Sequence, residues 1–354
     1  MKKIAVVGAG IYGCWIAYIL SKKGYKIEIF EKNSEIISES SKLNQYRVHR
    51  GYHYLKSLST AYRCQVNYNK FINFFSNAIF SDFNSYYVIP KAMSNISAYN
   101  FEKVCDLLNM PYKKENSLSS KIFNNNLIDK IYKVDEKVYK VKELRENLSN
   151  LIDNKNIEIF LNTQVVVLNK NQLVTKNKEI HKFDYVFNAT YSEIGQFNTI
   201  SKKKLNLIYV LSEIGVVKVP DKIKKIGVTL IDGNFFSILP MDINFHTISH
   251  VIYTHSERNN VNIYQKKKDD LNKNLTNMNV NKMIMDASRF IPCLNEAEIK
   301  KSFFQIKTIS NFNQKNDSRP IIIEKNKNCF NVIGSKIDNV FDVADYLEKY
   351  FNAK

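Results

Sequence analysis

Ile4-Ala5-Val6-Val7-Gly8-Ala9-Gly10-Ile11-Tyr12-Gly13 lies near the start of the chain and decides its fold. Ile4 to Val7 is a short unbroken apolar run, the pattern of a strand buried on both faces of a parallel sheet. Cys14 to Lys23 has helical character and is closed by Gly24, and Lys26-Ile27-Glu28-Ile29-Phe30-Glu31 alternates into a second strand. Each glycine has its own task. Gly8 permits the tight turn, Gly10 lets the backbone approach a pyrophosphate, and Gly13 lets helix and strand pack closely. The free N–H groups at the helix N-terminus receive the pyrophosphate. Glu31 follows Gly13 by 18 residues (31 − 13) and ends the second strand. A carboxylate there accepts both ribose hydroxyls and repels a 2′-phosphate. Alone, Gly-x-Gly-x-x-Gly is a weak signal; in this strand–turn–helix–strand setting it predicts a dinucleotide site.

The chain has 354 residues, which suits two intimately joined domains. Its hydrophobic fraction is 44%, with 10 Gly and 6 Pro and no Pro/Gly/Ser-rich linker, so a second domain is expected to be interleaved with the first. The net charge of +18 comes from scattered lysines, with only seven Arg among the 52 basic residues. Backbone recognition of nucleic acid favours clustered, forked Arg beside stacking aromatics. Nucleic acid is therefore not expected as a partner, and the runs Lys202-Lys203-Lys204 and Lys266-Lys267-Lys268 read as solvated loops. Attraction for an anionic small substrate is compatible with the charge. The five cysteines (14, 64, 105, 293, 329) contain no CxxC and read as reduced thiols of a cytoplasmic protein. Residues 4–20 superficially resemble a signal-peptide core, but three glycines interrupt them and a strand pattern resumes at Lys26. No stretch reads as a membrane span.

Later segments point to a flavin. Ile157-Glu158-Ile159-Phe160 and Thr163-Gln164-Val165-Val166-Val167 precede Phe183-Asp184-Tyr185-Val186-Phe187-Asn188-Ala189-Thr190, an apolar strand ending in small residues. This resembles the second nucleotide-facing segment of two-domain flavoproteins, where a strand ending in Ala-Thr-Gly passes beside FAD; here Tyr191 replaces the Gly. At the other end, Arg319-Pro320-Ile321-Ile322-Ile323 precedes Phe330-Asn331-Val332-Ile333-Gly334-Ser335-Lys336-Ile337-Asp338, and an amphipathic helix runs from Phe341 to Phe351. Together these features resemble the FAD-dependent oxidoreductases of the D-amino acid oxidase/glycine oxidase superfamily. The resemblance implies FAD as cofactor, with contacts from Gly8, Gly10, Ile11, Tyr12, Gly13, Glu31, Lys32, Ser41, Asn44 and Arg47. It also implies adenine contact by the backbone of Val165 or Val166, a passage by Ala189 and Thr190, and flavin contacts from Gly334, Lys336 and Ile337. Lys336 is expected to stabilise negative charge on the reduced ring. No metal is implied.

Between the second strand and the next helix lies Asn44-Gln45-Tyr46-Arg47-Val48-His49-Arg50-Gly51-Tyr52-His53-Tyr54-Leu55. The density of ionisable groups around Gly51 marks a reactive loop. His49-x-Gly51-x-x-Tyr54-Leu55 resembles the corresponding loop of FAD-dependent glycerol-3-phosphate dehydrogenases, and with Asn44 that of L-2-hydroxyglutarate oxidases. The implied chemistry is hydride transfer to flavin from a CH–OH or CH–NH carbon of a small anionic substrate. A neutral imidazole, His49 or His53, suits the base, and Arg50 or Arg47 suits a clamp on the anionic group. Tyr54 completes the expected site. A sugar mutase is the alternative, because His49-Arg50-Gly51-Tyr52-His53-Tyr54 is also similar to a segment of UDP-galactopyranose mutases, although their Gly-Gly-Asn after the ribose-binding acid is absent. A flavoprotein acting on tRNA is a third reading, supported by charge alone.

The expected fold is α/β: a Rossmann-like FAD-binding domain (1–84, 141–204 and 311–354) interleaved with an α+β substrate domain (85–140 and 205–310). Strands over Ser85–Pro90, Leu205–Val219, Ile226–Leu230, Phe235–Pro240 and His246–Tyr253 predict a largely antiparallel sheet, with helices near 94–108 and 270–291. His246, His250 and His255 lie in a β-rich context and read as a hydrogen-bonded sheet face rather than a metal site.

Overall fold

A computed structural model describes residues 1–117, 119–169, 171–197, 207–260, 279–310 and 318–352. The lysine runs 202–204 and 266–268 and the first part of the helix expected over 270–291 lie outside the described residues. The first sheet has six strands in the order Ile322–Asn326, Cys329–Ile333, Tyr185–Asn188, Lys3–Val7, Lys26–Phe30 and Ile157–Phe160. Every adjacent pair is parallel except the outer hairpin formed by the first two. The central strand aligns Val6 with Ile29 on one side and Phe187 on the other. Ile4 to Val7 are buried on both faces, as their unbroken apolar run requires.

Helix Ile11–Lys22 packs on this sheet beside Val141–Ile152 and Val340–Asn352. The last helix buries Val340, Val343, Ala344, Leu347 and Phe351, a helical stripe that faces the same core. Gly24, at φ +84°, closes the first helix by donating its N–H to Ser21 O at 3.0 Å. The strand expected over 163–167 is shorter, Val165–Leu168, because it joins the antiparallel ribbon completed by Gln172–Thr175 and Ile180–Lys182.

The second sheet has nine strands. The long strand Leu207–Lys218 pairs with Glu298–Ser310 on one side and with His246–His250 and His255–Asn260 on the other. Beyond these lie Phe236–Pro240, Ile226–Leu230, Asn84–Pro90, Ile128–Val134 and Tyr112–Lys114. All pairings are antiparallel except Ile226–Leu230 with Asn84–Pro90. Helix Val280–Phe290 covers one face through Val280, Met283, Ile284, Ala287 and Phe290. The single strand expected over 246–253 stops at His250. A turn closed by Thr254 N–H donating to His250 O at 2.9 Å follows, and His255 begins another strand. The helix expected from Ser94 starts at Ala98, because Ser97 Oγ accepts the Asn100 N–H at 3.2 Å and caps it. Among the described residues no helix is long and apolar enough to cross a membrane.

Candidate active site

A cavity of about 730 Å³ is lined by both sheets and by the reactive loop. Its first end is the glycine turn. Gly8 sits at φ +96°, and a Cβ there would stand 2.9 Å from Ala189 O; one on Gly13 would stand 1.8 Å from Gly8 O. Both glycines are therefore demanded by the protein's own packing. Gly10 differs, since a Cβ there would meet only Ser41 Oγ at 3.5 Å. Its space is left for a ligand. Ser41 Oγ accepts the Ile11 N–H at 3.3 Å, and the first turn of helix Ile11–Lys22 carries no acid, leaving its positive end for an anion. Glu31 is buried, and its carboxylate accepts N–H donors from Ala9 at 2.7 Å and Asn33 at 2.9 Å, which hold it rigidly at the cavity wall.

Several residues expected to contact FAD line the cavity and are also engaged by other groups of the protein. Lys32 lines the cavity, yet its ammonium is paired with Glu193 at 2.6 Å and Glu39 at 3.3 Å, which raise its pKa against the opposing desolvation. The Asn44 amide donates to Ser40 O at 2.7 Å and its oxygen accepts the Tyr46 N–H at 2.5 Å, so it braces the loop it stands in. Val165 lines the cavity, but the Val166 side chain is exposed and does not, because neighbours on a strand face opposite ways. Ala189 and Thr190 line it as expected. Tyr191, where the family pattern has Gly, adopts φ 51° and thus follows the left-handed path that Gly favours.

Gly51 is held at φ +118°, and a Cβ there would lie 2.8 Å from both Ala61 O and Met110 Sδ. Around it the loop diverges from expectation. Arg47, expected at FAD or on the substrate, lines the cavity, and strand Arg47–Val48 pairs with Lys137–Tyr139, which brings Glu136 to the Arg47 guanidinium at 3.1 Å. Tyr87 Oη and Thr229 Oγ1, each at 2.7 Å, and Ser237 Oγ accept the remaining Arg47 bonds. Arg50 is a correction: its guanidinium leaves the cavity, pairs with Asp135 and Gln65, and stacks on Tyr68 at 4.8 Å. Neither arginine is available as the substrate clamp.

His49 and His53 do open to the cavity, with ring centroids 5.8 Å apart. Tyr54 stands against both, at 5.2 and 5.4 Å. Glu136 Oε1 stands 3.7 Å from His49 Nδ1, a charge–dipole distance that favours a proton on that nitrogen and leaves Nε2 with the lone pair. Burial lowers the His49 pKa despite Glu136, and Arg47 and Lys336 add to the lowering. His53 is lowered by desolvation first and by Arg47 second, although its side chain is exposed to the cavity and solvent there screens part of the effect. Glu136 itself is held down to about 2: burial pushes it up, and Arg47, His49 and Tyr87 together outweigh that cost.

At the far wall, a Cβ on Gly334 would overlap Tyr12, whose hydroxyl donates to Lys336 O at 2.5 Å. The glycine turn and the C-terminal segment are thereby tied together. Lys336 is buried, and among the described residues its Nζ has no hydrogen-bond partner, lying 5.0 Å over the Tyr54 ring. Ile337 lines the cavity beside it. Asp338 follows, wholly buried, with its pKa raised to about 6 by desolvation against the pull of Lys336. The sequence reading gave no role to Glu136, Asp338, Lys307 or Arg319, of which the last two also line the cavity. Only the Arg-Pro at 319–320 carried a local signal. Three of the other four histidines have a partner in or beside the second sheet: His246 Nε2 lies 3.2 Å from Ile226 O, His250 Nε2 3.0 Å from Asp286, and His255 Nδ1 3.0 Å from Ser212 Oγ.

An open pyrophosphate turn, a fixed ribose acid and an orphaned ammonium along one cavity define an FAD-binding protein of the two-domain kind. The donor set suits FAD: N–H groups for the pyrophosphate, Glu31 for the ribose, and Lys336 for the electron-rich end of a flavin. Residues 3–108 match the family model for FAD dependent oxidoreductases (DAO). The solved glycine oxidase of Geobacillus kaustophilus superposes with a TM-score of 0.75 at 15% identity, over 99% of this chain and 95% of that one. An open form of NikD, an unusual amino acid oxidase of nikkomycin biosynthesis, superposes with a TM-score of 0.73 at 10% identity, over 98% and 93%. Among curated relatives, the FAD-dependent monooxygenase FPY4 of Fusarium mangiferae is 32% identical over 69 residues, 20% of this chain and 19% of its own length. The FAD-dependent monooxygenase kojA of Aspergillus flavus is 28% identical over 108 residues, 29% and 25%. The matched stretches thus cover only about a fifth to a quarter of these curated relatives. Over residues 3–108 the chain is thus similar to the FAD dependent oxidoreductases, across nearly its whole length it shares the fold of glycine oxidase, and its cofactor is FAD.

Proposed function

We propose that this protein oxidises a CH–OH or CH–NH carbon of a small anionic molecule, with bound FAD accepting the hydride. The observation that carries the reading is the pair of cavity-facing imidazoles, His49 and His53, both with lowered proton affinity. A base must be unprotonated to act, and lowering the pKa keeps an imidazole neutral throughout the physiological range. His49 takes the hydroxyl or amine proton on Nε2, since Glu136 favours the proton of the resting ring on Nδ1. Tyr54 packs against both rings and limits their rotation. Arg47 and Glu136 neutralise one another beneath the site and form its rigid floor. The substrate's negative charge falls to the cations that line the cavity, Lys336 and Arg319 among them.

The similarity to the fungal monooxygenases spans only 69 and 108 residues, too little to carry their reaction to this chain. The test is anaerobic stopped-flow mixing of the FAD-loaded protein with panels of hydroxy acids and amino acids. Bleaching of the flavin by at least one member is expected. Failure of every member of both panels to bleach it would sink the proposal.

A further inference from the structure

The two helices that begin beside the cavity differ in the charge placed at their positive ends. Helix Ile11–Lys22 has no acid in its first turn. The turn Ile337–Asn339 and helix Val340–Asn352, which continues it, carry Asp338 and Asp342. They follow directly on Gly334, Ser335 and Lys336, which line the cavity. Two acids there oppose both the positive helix end and the Lys336 ammonium.

The fold treats these acids differently. Asp342 Oδ2 accepts the side-chain amides of Asn67 at 3.0 Å and Asn339 at 2.9 Å, and Oδ1 lies 3.3 Å from the Arg63 guanidinium. Asp338 is 0% exposed, and neither of its oxygens has a hydrogen-bond partner among the described residues. A buried carboxylate in that state is costly unless a cation stands near it. Lys336 belongs to the same turn. It caps Ile337–Asn339, its carbonyl accepts the Asn339 N–H at 3.3 Å, and its buried ammonium likewise has no hydrogen-bond partner among the described residues. Asp338 is also faced by Asp342 one helical turn on, by Tyr12 on the first helix and by Cys64 on helix Leu58–Phe74. Tyr54 in the reactive loop and Glu136 beyond it complete its surroundings. Apart from Lys336, every one of these groups is acidic or neutral.

We infer that Asp338 is a positioning residue that acts through Lys336: its carboxylate offsets the ammonium and so lowers the reduction potential of the bound FAD. Lys336 favours the negative charge that the cofactor gains on reduction. Ionised Asp338 cancels part of that preference, and protonated Asp338 restores it. The carboxyl, raised by burial to about 6, changes state close to neutral pH. The inference needs bound FAD but no substrate, so it is judged apart from the oxidation reading above.

The experiment is a spectroelectrochemical titration of the FAD-loaded protein at about pH 8 and about pH 5. At the higher pH, Asp338→Asn should favour reduced over oxidised FAD by about ten-fold, an upward shift of about 30 mV for a two-electron couple. The gap to the parent should close at the lower pH, where the parent carboxyl has taken up a proton. In Lys336→Met the carboxyl loses its cation and stays protonated, so adding Asp338→Asn should change that ratio by less than about two-fold. Asp338→Ser serves if the asparagine variant does not retain FAD. A potential that Asp338→Asn leaves unchanged or lowers at about pH 8 overturns the inference. So does an upward shift of the same size in the Lys336→Met background, since Asp338 would then act without Lys336. A shift equal at both pH values overturns it as well, because altered packing rather than charge would be its cause.

Discussion

Replacing Glu136 by Gln leaves the Arg47 charge buried without its partner. Both side chains are almost fully enclosed, 3% and 7% exposed, with Nη1 and Oε2 3.1 Å apart. Glu136 also accepts from Tyr87 Oη through Oε2 at 2.9 Å and from the Arg50 N–H through Oε1 at 3.3 Å, and a glutamine, with one acceptor oxygen, keeps only one of these bonds. The larger part of the loss is electrostatic. The environment lowers the Glu136 pKa from the usual carboxylate range to about 2, which corresponds to roughly 3 kcal/mol. Removing one member of a buried pair costs about 3–5 kcal/mol in general, in agreement. Urea unfolding of FAD-stripped protein should thus show a loss of about 3 kcal/mol for Glu136→Gln. The double variant Arg47→Met/Glu136→Leu should lose less than the sum of its singles, because neither charge is stranded. The pH dependence has a definite sign. A carboxyl whose folded pKa is depressed contributes fully above its unfolded value, near 4.3, and the contribution disappears as pH falls towards about 2. The parent should lose this stability across that window, and the glutamine variant should lack the corresponding slope. A loss below about 1 kcal/mol, or additive singles, would refute the view that Arg47 and Glu136 hold one another in place.

Three further outcomes are expected. Glu31→Ala should weaken FAD retention, by roughly 1.5–3 kcal/mol for each ribose hydrogen bond removed, measured by titrating FAD into stripped protein; unchanged affinity would mean that Glu31 only braces Ala9 and Asn33. His49→Gln should keep FAD and fold while slowing single-turnover flavin reduction by about 10²–10⁴. The parental rate should rise with pH along a limb centred below the usual imidazole value, since both loop histidines are lowered; parental rates in both His49→Gln and His53→Gln would make the loop a cofactor cradle only. Gly51→Ala should destabilise the protein by roughly 1–3 kcal/mol from its left-handed backbone alone, with the contacts to Ala61 and Met110 adding to this, as read by its unfolding midpoint; a neutral substitution would show that the loop relaxes freely.

What the sequence by itself determined was local. The unbroken run Ile4–Val7, the three glycines after it and Glu31 at their spacing specify a strand, a turn, a helix and an acid within about thirty residues. Each element follows from periodicity and backbone conformation, which neighbours in the chain impose on one another. The same local logic marked His49, Gly51, His53 and Tyr54 as one loop, and all but Gly51 line the cavity. It also flagged Tyr191 as a departure from glycine, without revealing that the tyrosine takes the left-handed turn itself. What only the tertiary structure decided was where the charges end. Arg47 and Arg50 are equally plausible clamps on paper. Their fates depend on Asp135 and Glu136, more than eighty residues away in the chain, delivered by the pairing of Arg47–Val48 with Lys137–Tyr139. Lys307 faces the cavity, with no carboxylate paired to it among the described residues, because of its register beside Leu207–Lys218, where it lies opposite Val210. Spacing along the chain states which side chains share a face, but the partner that neutralises a charge, or leaves it free for a ligand, comes from a strand the sequence does not name.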